Sequence, residues 1–245
     1  MSRRSRAAPA DLAESSELQS AVLEDLASAV NYIAWYAELA APWLGPDPIE
    51  VGSGHGNYAA AWAAAGQSIT ASEADPGRLA LLRERFAGEP RVAVRELHAP
   101  IGETGSYSAV VAFNVLEHIE DDVAALRSFR GLLVPGGHVV LVVPAFPVAM
   151  SEFDRSIGHH RRYTVRTMQQ AVRSAGLSPV LVRYHNSVGL LGWLVLMRLL
   201  GGRPAEGFPL RVFDRGVVPA LRLLESRLRL PFGQSVFAVA RRDAD

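Results

Sequence analysis

Cysteine is absent from this 245-residue sequence, which excludes a disulfide scaffold, thiol catalysis and thiolate metal sites. Lysine is absent too, and 25 arginines are balanced by 25 acidic residues. The formal charge of zero argues against a nucleic-acid-binding protein that relies on a basic surface. With 49% hydrophobic residues, the composition is that of a globular protein rather than a disordered one.

Long apolar runs are also missing. Beyond the N-terminal third, the longest run is Val188–Met197, which is about half of the ~20 residues that a membrane-spanning helix needs. The basic start of the chain leads into Ala7-Ala8-Pro9 rather than into an apolar segment, so we expect no secretory signal. We therefore expect a protein without a membrane span, located in the cytoplasm.

Short apolar strands alternate with helical segments from Pro48 onward. This alternation is typical of a parallel sheet covered by helices on both faces, and it predicts the α/β class. The predicted strands lie near residues 49–51, 68–72, 92–95, 109–113, 139–143, 180–184 and 235–240.

The domain organisation follows from the same pattern. Apolar positions at helical spacing indicate a long amphipathic helix in an N-terminal cap, residues 11–44. Two apolar helical patterns occupy a late helical insertion, residues 185–233. Residues 48–184 and 234–241 then form the core, all within a single domain, 1–245. We predict that the insertion and the N-terminal helix either form a lid over the acceptor site or provide the surface through which two copies of the chain form a homodimer.

A glycine-rich loop follows the first strand. In the run Glu50–Gly56, glycines at alternate positions let the backbone turn tightly and let a ligand approach it. The spacing is G-x-G-x-G, one residue shorter than the dinucleotide fingerprint. Glu73 ends the second strand, close to where α/β nucleotide-binding proteins place an acid on ribose hydroxyls. An ordinary strand-to-helix turn, with a solvated charge at Glu73, is the alternative.

Five motifs occur in order within residues 48–145: Glu50–Gly56, Glu73–Pro76, Tyr107–Val110, Asn114–Ile119 and Leu132–His138. Together they resemble the class I S-adenosylmethionine-dependent methyltransferases, the broad group that includes the quinone-biosynthesis C- and O-methyltransferases. The resemblance implies a seven-stranded Rossmann-like sheet and S-adenosylmethionine as the cofactor. Ser108 departs from the pattern, since the family usually has Asp there.

The resemblance also implies a set of cofactor-binding residues. The first strand's acid and the glycine loop would face the methionine end of the cofactor. Glu73 would bind the ribose and Asn114 would lie beside the sulfonium, while Glu96 would lie on the adenine side or be a surface residue. The full set is Glu50, Gly52, Ser53, Gly54, Gly56, Glu73, Glu96 and Asn114.

A later segment, residues 153–164, resembles the G-H-x-R-R-Y-T segment of a bacterial methyltransferase subgroup. It follows the fifth strand at the carboxyl edge of the sheet, so we expect it over the acceptor site. The candidates for catalysis and acceptor binding are His118, His159, His160, Arg161, Arg162 and Tyr163. An internal acid such as Asp154 that balances the cluster, or a solvated basic loop, is the alternative. We expect no metal site, because adjacent His159 and His160 cannot easily share one ion and no carboxylate triad accompanies them.

The sequence therefore predicts a biosynthetic S-adenosylmethionine-dependent methyltransferase. Its leading reaction is O-methylation of a small or medium-sized acceptor, a small molecule or a peptide, that carries an acidic group or a hydroxyl. Arg161 or Arg162 would pair with an anionic acceptor and Tyr163 would orient it, whereas His159 or His118 would act as base towards a hydroxyl. C- or N-methylation of a quinone-like ring or an amine is an alternative. A non-catalytic cofactor-binding subunit and an NAD-dependent oxidoreductase are the alternatives outside methyl transfer.

Overall fold

The computed structural model describes residues 18–20, 27–195 and 208–244. Its strands are β1 Pro48–Val51, β2 Ile69–Glu73, β3 Val92–Glu96, β4 Tyr107–Phe113, β5 Leu133–Pro144, β6 Ser178–His185 and β7 Ser235–Arg241. They form one seven-stranded sheet in the order β3-β2-β1-β4-β5-β7-β6. All strands run in one direction except β7, which is antiparallel to both of its neighbours. The predicted α/β sheet is confirmed.

Helices connect the strands and cover the sheet. They are α1 Val30–Ala40, α2 Asn57–Ala64, α3 Pro76–Arg85, α4 Asp122–Leu132, α5 Glu152–Ser156, α6 Val165–Ser174, α7 Ser187–Trp193, α8 Phe208–Val212 and α9 Val218–Arg227. A π-helical turn, Phe213–Val217, joins α8 to α9, and a 3-10 turn, Leu116–His118, follows β4. Within the described ranges, no helix has the length and apolar character needed to cross a membrane.

The central strands are buried on both faces. Along β4, Val110 and Ala112 belong to one apolar cluster, whereas Val111 and Phe113 belong to the other, as the two-residue period of a strand requires. Helices α4 and α6 fill the first cluster, and helices α1, α2 and α9 fill the second. Burial on both faces explains why these strands appear in the sequence as continuous apolar runs.

The N-terminal segment is not one continuous helix, and our prediction of such a helix is wrong at this point. Residues 18–20 are helical, but Ala29 has φ −89° and ψ 65°, and α1 begins only after it. The carboxylate of Asp214 accepts the backbone N–H groups of Asn31 at 3.1 Å and Tyr32 at 2.8 Å, so a distant acid caps this new helix start. Residues 11–17 and 21–26 of the predicted cap, and 196–207 of the predicted insertion, lie outside the described residues.

The sheet has a switch point between β1 and β4. These strands are neighbours, although β2 and β3 lie between them in sequence. The chain therefore winds outward in one direction from β1 and in the other from β4, and a crevice opens at their carboxyl ends, where ligands of open α/β sheets bind. The glycine loop follows β1 and Asn114 follows β4, so the fold brings both to this crevice.

Candidate active site

The loop after β1 has a backbone that favours glycine. Gly52, Gly54 and Gly56 have φ values of 69°, 55° and 75°. A Cβ on Gly52 would lie 2.7 Å from Cγ2 of Val115, and one on Gly56 would lie 2.6 Å from Cε2 of Phe86. The alternating glycines therefore serve both the turn itself and the close approach of the β1 loop to the β4 loop.

Glu50 is buried below this loop, with only 2% of its surface exposed. Its Oε2 atom has no hydrogen-bond partner among the described residues. Burial raises the pKa of Glu50 to about 8, and the nearby Glu73 carboxylate adds to this effect. A buried carboxyl oxygen without a hydrogen bond is costly, so the position of Oε2 suits a ligand that brings a positive charge or a hydrogen-bond donor.

Glu73 connects the glycine loop to the start of α3. Its Oε2 accepts the N–H of Gly54 at 2.9 Å, and its Oε1 accepts the N–H groups of Ala74 and Asp75 at 3.0 Å each. Nη2 of Arg78 lies 3.3 Å from the same Oε1. In this structure the protein itself engages the carboxylate that we predicted for ribose hydroxyls, so a ligand must share or displace the Gly54 contact.

The other predicted cofactor residues lie along the same sheet edge. Ser53 joins the β1 loop to β2, since its N–H donates to the carbonyl of Ser72 at 2.8 Å and its Oγ accepts the Ser72 N–H at 3.1 Å. Glu96 is the register partner of Glu73 on the neighbouring strand, and its side chain is exposed. Asn114, with φ 53°, is exposed directly after β4. The crevice thus collects residues from four adjacent strand ends.

The segment His159–Thr164 is attached to the ends of β4 and β5. The N–H of His160 donates to the carbonyl of Glu117 at 2.8 Å, and the N–H of Tyr163 donates to the carbonyl of Pro144 at 2.8 Å. The His160 side chain is exposed, so this residue holds the segment through its backbone.

Arg162 belongs to an internal ion pair. Its guanidinium donates to both carboxylate oxygens of Asp154, with Nη2 2.8 Å from Oδ1, and its side chain is 2% exposed. Its Nη1 donates to the carbonyl of Ala145, and the ring of Trp193 in α7 lies 4.6 Å from the guanidinium carbon. Asp154, the internal acid that the sequence leaves open as an alternative, is the partner of Arg162 in this structure, because a buried guanidinium needs a fixed counter-charge. A role of Arg162 towards an anionic acceptor stays a prediction.

Asp122 of α4 engages two further candidates. Its Oδ2 lies 3.0 Å from Nη1 of Arg161 and accepts the hydroxyl of Tyr163 at 2.8 Å. Tyr163 is only 2% exposed, and burial together with Asp122 raises the pKa of its hydroxyl far above the usual range. An internal acid engages both groups in this structure, and the roles of Arg161 as an acceptor partner and of Tyr163 in orienting the acceptor stay predictions.

Glu117, His118 and His159 form what we call the polar cluster, beside the end of β4. One candidate ligand atom from each residue lies within 4.8 Å of the others. The rings of His118 and His159 meet edge to face, with centroids 4.6 Å apart. Glu117 is 0% exposed, and both of its carboxylate oxygens lack a hydrogen-bond partner among the described residues. The sequence prediction omitted Glu117, although it stands next to His118 in the fourth motif.

Burial sets the electrostatics of the polar cluster. It raises the pKa of Glu117 to about 7, and the neighbouring His159 offsets only part of that effect. It lowers the pKa of His118 to about 3, with the His159 ring as the next cause. Nδ1 of His159 lies 3.0 Å from Oδ1 of Asp154, and its Nε2 lies 3.9 Å from Oε1 of Glu117. His159 therefore lies between two acids, with Nδ1 next to Asp154 and Nε2 facing Glu117.

The strand order, the antiparallel β7 and the glycine loop at the switch point give this chain the Rossmann-like fold seen in solved structures of class I methyltransferases. The family model described as "Methyltransferase domain" matches residues 49–139 of this chain.

Curated relatives resemble the same part of the chain. A protein of Mycobacterium tuberculosis (strain ATCC 25618 / H37Rv), named as an uncharacterized methyltransferase, is 36% identical over 103 residues, covering 40% of this chain and 51% of the relative. A ubiquinone biosynthesis O-methyltransferase of Xanthomonas campestris is 34% identical over 118 residues, covering 46% of this chain and 47% of the relative. The chain spans about half the length of the curated relatives it matches.

Solved structures resemble nearly the whole chain. A Haloferax volcanii methyltransferase in complex with the activator Trm112 has a TM-score of 0.62 at 15% identity, over 93% of this chain and 94% of that one. Geranyl diphosphate C-methyltransferase from Streptomyces coelicolor A3(2) has a TM-score of 0.59 at 13% identity, over 84% of this chain and 79% of that one. At these identities the similarity is one of fold.

Proposed function

We propose that this protein is an S-adenosylmethionine-dependent methyltransferase that methylates an oxygen atom of a small or medium-sized acceptor. The observation that carries the cofactor assignment is the buried, unpartnered Oε2 of Glu50 next to the glycine loop. The methionine end of S-adenosylmethionine carries an ammonium group, which suits this carboxylate. When bound, the cofactor supplies an electrophilic methyl group on a sulfonium.

The residues of the crevice contribute to cofactor binding in different ways. The loop Gly52–Gly56 lets the ligand approach the backbone closely. Glu73, released from the N–H of Gly54, accepts ribose hydroxyls, and Glu96 at the next strand end borders the adenine. Asn114, exposed after β4, borders the sulfonium.

Oxygen methylation is supported on the acceptor side by the polar cluster. A hydroxyl acceptor must lose a proton, and the cluster offers imidazole nitrogens and an unpartnered carboxylate close to Asn114. The similarity to a ubiquinone biosynthesis O-methyltransferase over 118 residues also favours oxygen over carbon or nitrogen. We favour a hydroxyl over a carboxylate, because Arg161 and Arg162 already have internal acidic partners.

The insertion closes the acceptor side in this proposal. Trp193 lies over Arg162 and its Nε1 donates to the carbonyl of Ala149 at 3.2 Å, so α7 packs against the segment that carries His159. The ring of Trp193 also contacts the ring of Phe153, with centroids 6.2 Å apart. Replacing Trp193 by alanine should raise KM for the acceptor more than the Kd of the cofactor.

Calorimetric titration with S-adenosylmethionine and S-adenosylhomocysteine tests the cofactor half, with NADH as the comparison ligand. We expect binding of the first two, and loss of that binding in Gly54→Val, whose side chain would block the backbone approach. Mass spectrometry of the products from a panel of hydroxylated, carboxylated and amine acceptors tests the other half. NADH binding without S-adenosylmethionine binding would refute the cofactor assignment, and methylation on carbon or nitrogen would refute the choice of oxygen.

A further inference from the structure

We propose that the polar cluster binds one divalent transition-metal cation through Glu117, His118 and His159 and leaves a coordination position open for an oxygen atom of the acceptor. Only the assignment of an acceptor oxygen to the open position rests on the proposed function. Cation binding itself is independent of methyl transfer and is tested without it.

The three side chains have the chemistry and spacing of a cation site. Bonds of about 2.0–2.2 Å from a zinc-type ion to nitrogen and oxygen hold neighbouring ligand atoms roughly 3–3.5 Å apart. Oε1 of Glu117 and Nε2 of His159 are already 3.9 Å apart, so a small side-chain movement brings them into range. Two imidazoles and one carboxylate form a ligand set of catalytic zinc sites, which keep one position open. Imidazole ligands favour Zn²⁺ or Co²⁺ over Mg²⁺.

The buried polar atoms of the cluster lack partners of their own. Both carboxylate oxygens of Glu117 and Nδ1 of His118 are buried without a hydrogen bond among the described residues. Buried polar groups in folded proteins are normally satisfied, and an unsatisfied carboxylate is among the most costly. A single cation would satisfy the carboxylate and imidazole atoms together, whereas a proton-accepting imidazole alone would leave Glu117 unexplained.

A second layer of contacts orients one of the proposed ligands. The carboxylate of Asp154 lies 3.0 Å from Nδ1 of His159, which favours the tautomer that donates from Nδ1 and has Nε2 facing Glu117. Asp154 is held in turn by Arg162 and by the backbone N–H and Oγ of Ser151, both at 2.7 Å. A carboxylate behind a histidine is the usual support of a metal-ligating imidazole. This support explains why a buried Asp–Arg pair lies in the segment.

The sequence predicts no metal site, because adjacent His159 and His160 cannot easily share an ion and no carboxylate triad accompanies them. The structure pairs the His159 ring with that of His118 instead, and it leaves the His160 side chain exposed. The objection that adjacent histidines cannot share an ion therefore does not apply to this cluster.

A bound cation changes what the cluster does to a hydroxyl acceptor. A cation would lower the pKa of an acceptor hydroxyl that occupies the open position. The O–H bond would then break, with the electron pair staying on the oxygen and the proton leaving to solvent. The imidazoles then act as ligands rather than as bases. The acceptor class is accordingly one whose hydroxyl oxygen reaches a cation, such as a phenol or an adjacent pair of oxygen groups.

The test uses the full chain, stripped with a chelator and titrated with Zn²⁺ by calorimetry and with Co²⁺ by visible absorption. We expect one equivalent of either cation in the wild type. Affinity should fall by about 100-fold or more in Glu117→Gln and His159→Gln, because removing a ligand costs at least as much as removing its hydrogen-bond support. His160→Gln, the adjacent exposed histidine, is the matched control and should bind as the wild type does.

Equal Zn²⁺ affinity in the wild type and Glu117→Gln, or a loss of binding in His160→Gln alone, would overturn the site. Glu117→Gln removes a buried unpaired carboxylate without changing its shape, so we expect it to fold, and thermal unfolding without metal verifies this. The Zn²⁺ affinity of Glu117→Gln therefore tests the cation site even if His159→Gln is unstable. If the wild-type chain binds Zn²⁺ but does not bind S-adenosylmethionine, the proposed function is refuted and the cation site is not.

Discussion

Nδ1 of His159 lies 3.0 Å from Oδ1 of Asp154, in the same buried carboxylate that pairs with Arg162. Within the segment 153–164, Asp154 therefore balances the charge of Arg162. A run of basic residues that could have formed an anion-binding loop becomes a rigid support, because its guanidinium is fixed inside the protein. Next to this support, Nε2 of His159 lies 3.9 Å from Oε1 of Glu117.

Breaking the buried pair should destabilise the fold. Arg162→Met leaves Asp154 without its main counter-charge, and we expect the free energy of unfolding to fall by about 3–5 kcal/mol. Urea unfolding at neutral pH measures this loss. Arg161→Met is the matched control: its pair with Asp122 is partly exposed, so it should cost about 1 kcal/mol or less. Equal losses in the two variants would contradict the buried pair.

Glu50 makes stability depend on pH. Its pKa is raised from 4.5 to about 8 in the folded chain, so the folded state holds a proton that the unfolded state has lost. The free energy of unfolding therefore contains a contribution that is complete below pH 4.5 and is lost as the pH rises to about 8. Glu50→Gln should melt close to the wild type in acid and above it at alkaline pH, while losing cofactor affinity.

Thermal unfolding of the ligand-free protein across this pH range measures the effect. Glu96→Gln, an exposed acid on the same sheet edge, is the control and should leave the wild-type profile unchanged. A melting difference between Glu50→Gln and wild type that is the same at every pH would contradict the raised pKa.

Cofactor affinity should depend on Glu73. Glu73→Gln removes a charge-assisted hydrogen bond to the ligand, and we expect a loss of about 1.5–3 kcal/mol in the binding free energy. Calorimetric titration with S-adenosylhomocysteine measures it. Glu84→Gln, at an exposed position of α3, should bind as the wild type does. Unchanged affinity in both variants would remove Glu73 from the cofactor site.

Asp214 should hold the start of α1. Asp214→Ala removes a buried carboxylate that accepts the N–H groups of Asn31 and Tyr32, and we expect a loss of about 1–3 kcal/mol of stability. Hydrogen exchange should accelerate at these two amides. Arg215→Ala, the exposed neighbour, is the control, and equal exchange in both variants would show that α1 starts without this cap.

Local patterns predict much of this fold. Each observed strand overlaps a segment that the apolar runs indicate, and Asp75 caps α3 before Pro76 as local chemistry requires. The start of α1 was not predictable in this way. Its cap, Asp214, is 182 positions from Tyr32, and nothing near residue 29 signals the break.

The order of amino acids alone predicts the class of fold and the glycine loop and acids at the strand ends that line the crevice. The need for glycine in a turn and the position of an acid at the end of a strand are local properties of the sequence. Because parallel strands place their carboxyl ends at the same edge of the sheet, these residues meet once the sheet forms. The partners of the charged groups are decided only by tertiary structure. Tyr163 meets Asp122 from 41 positions away, and His159 meets His118 and Glu117 through the packing of loops that follow different strands. Which polar atoms are paired and which stay free depends on burial and direction, and these exist only in the folded chain.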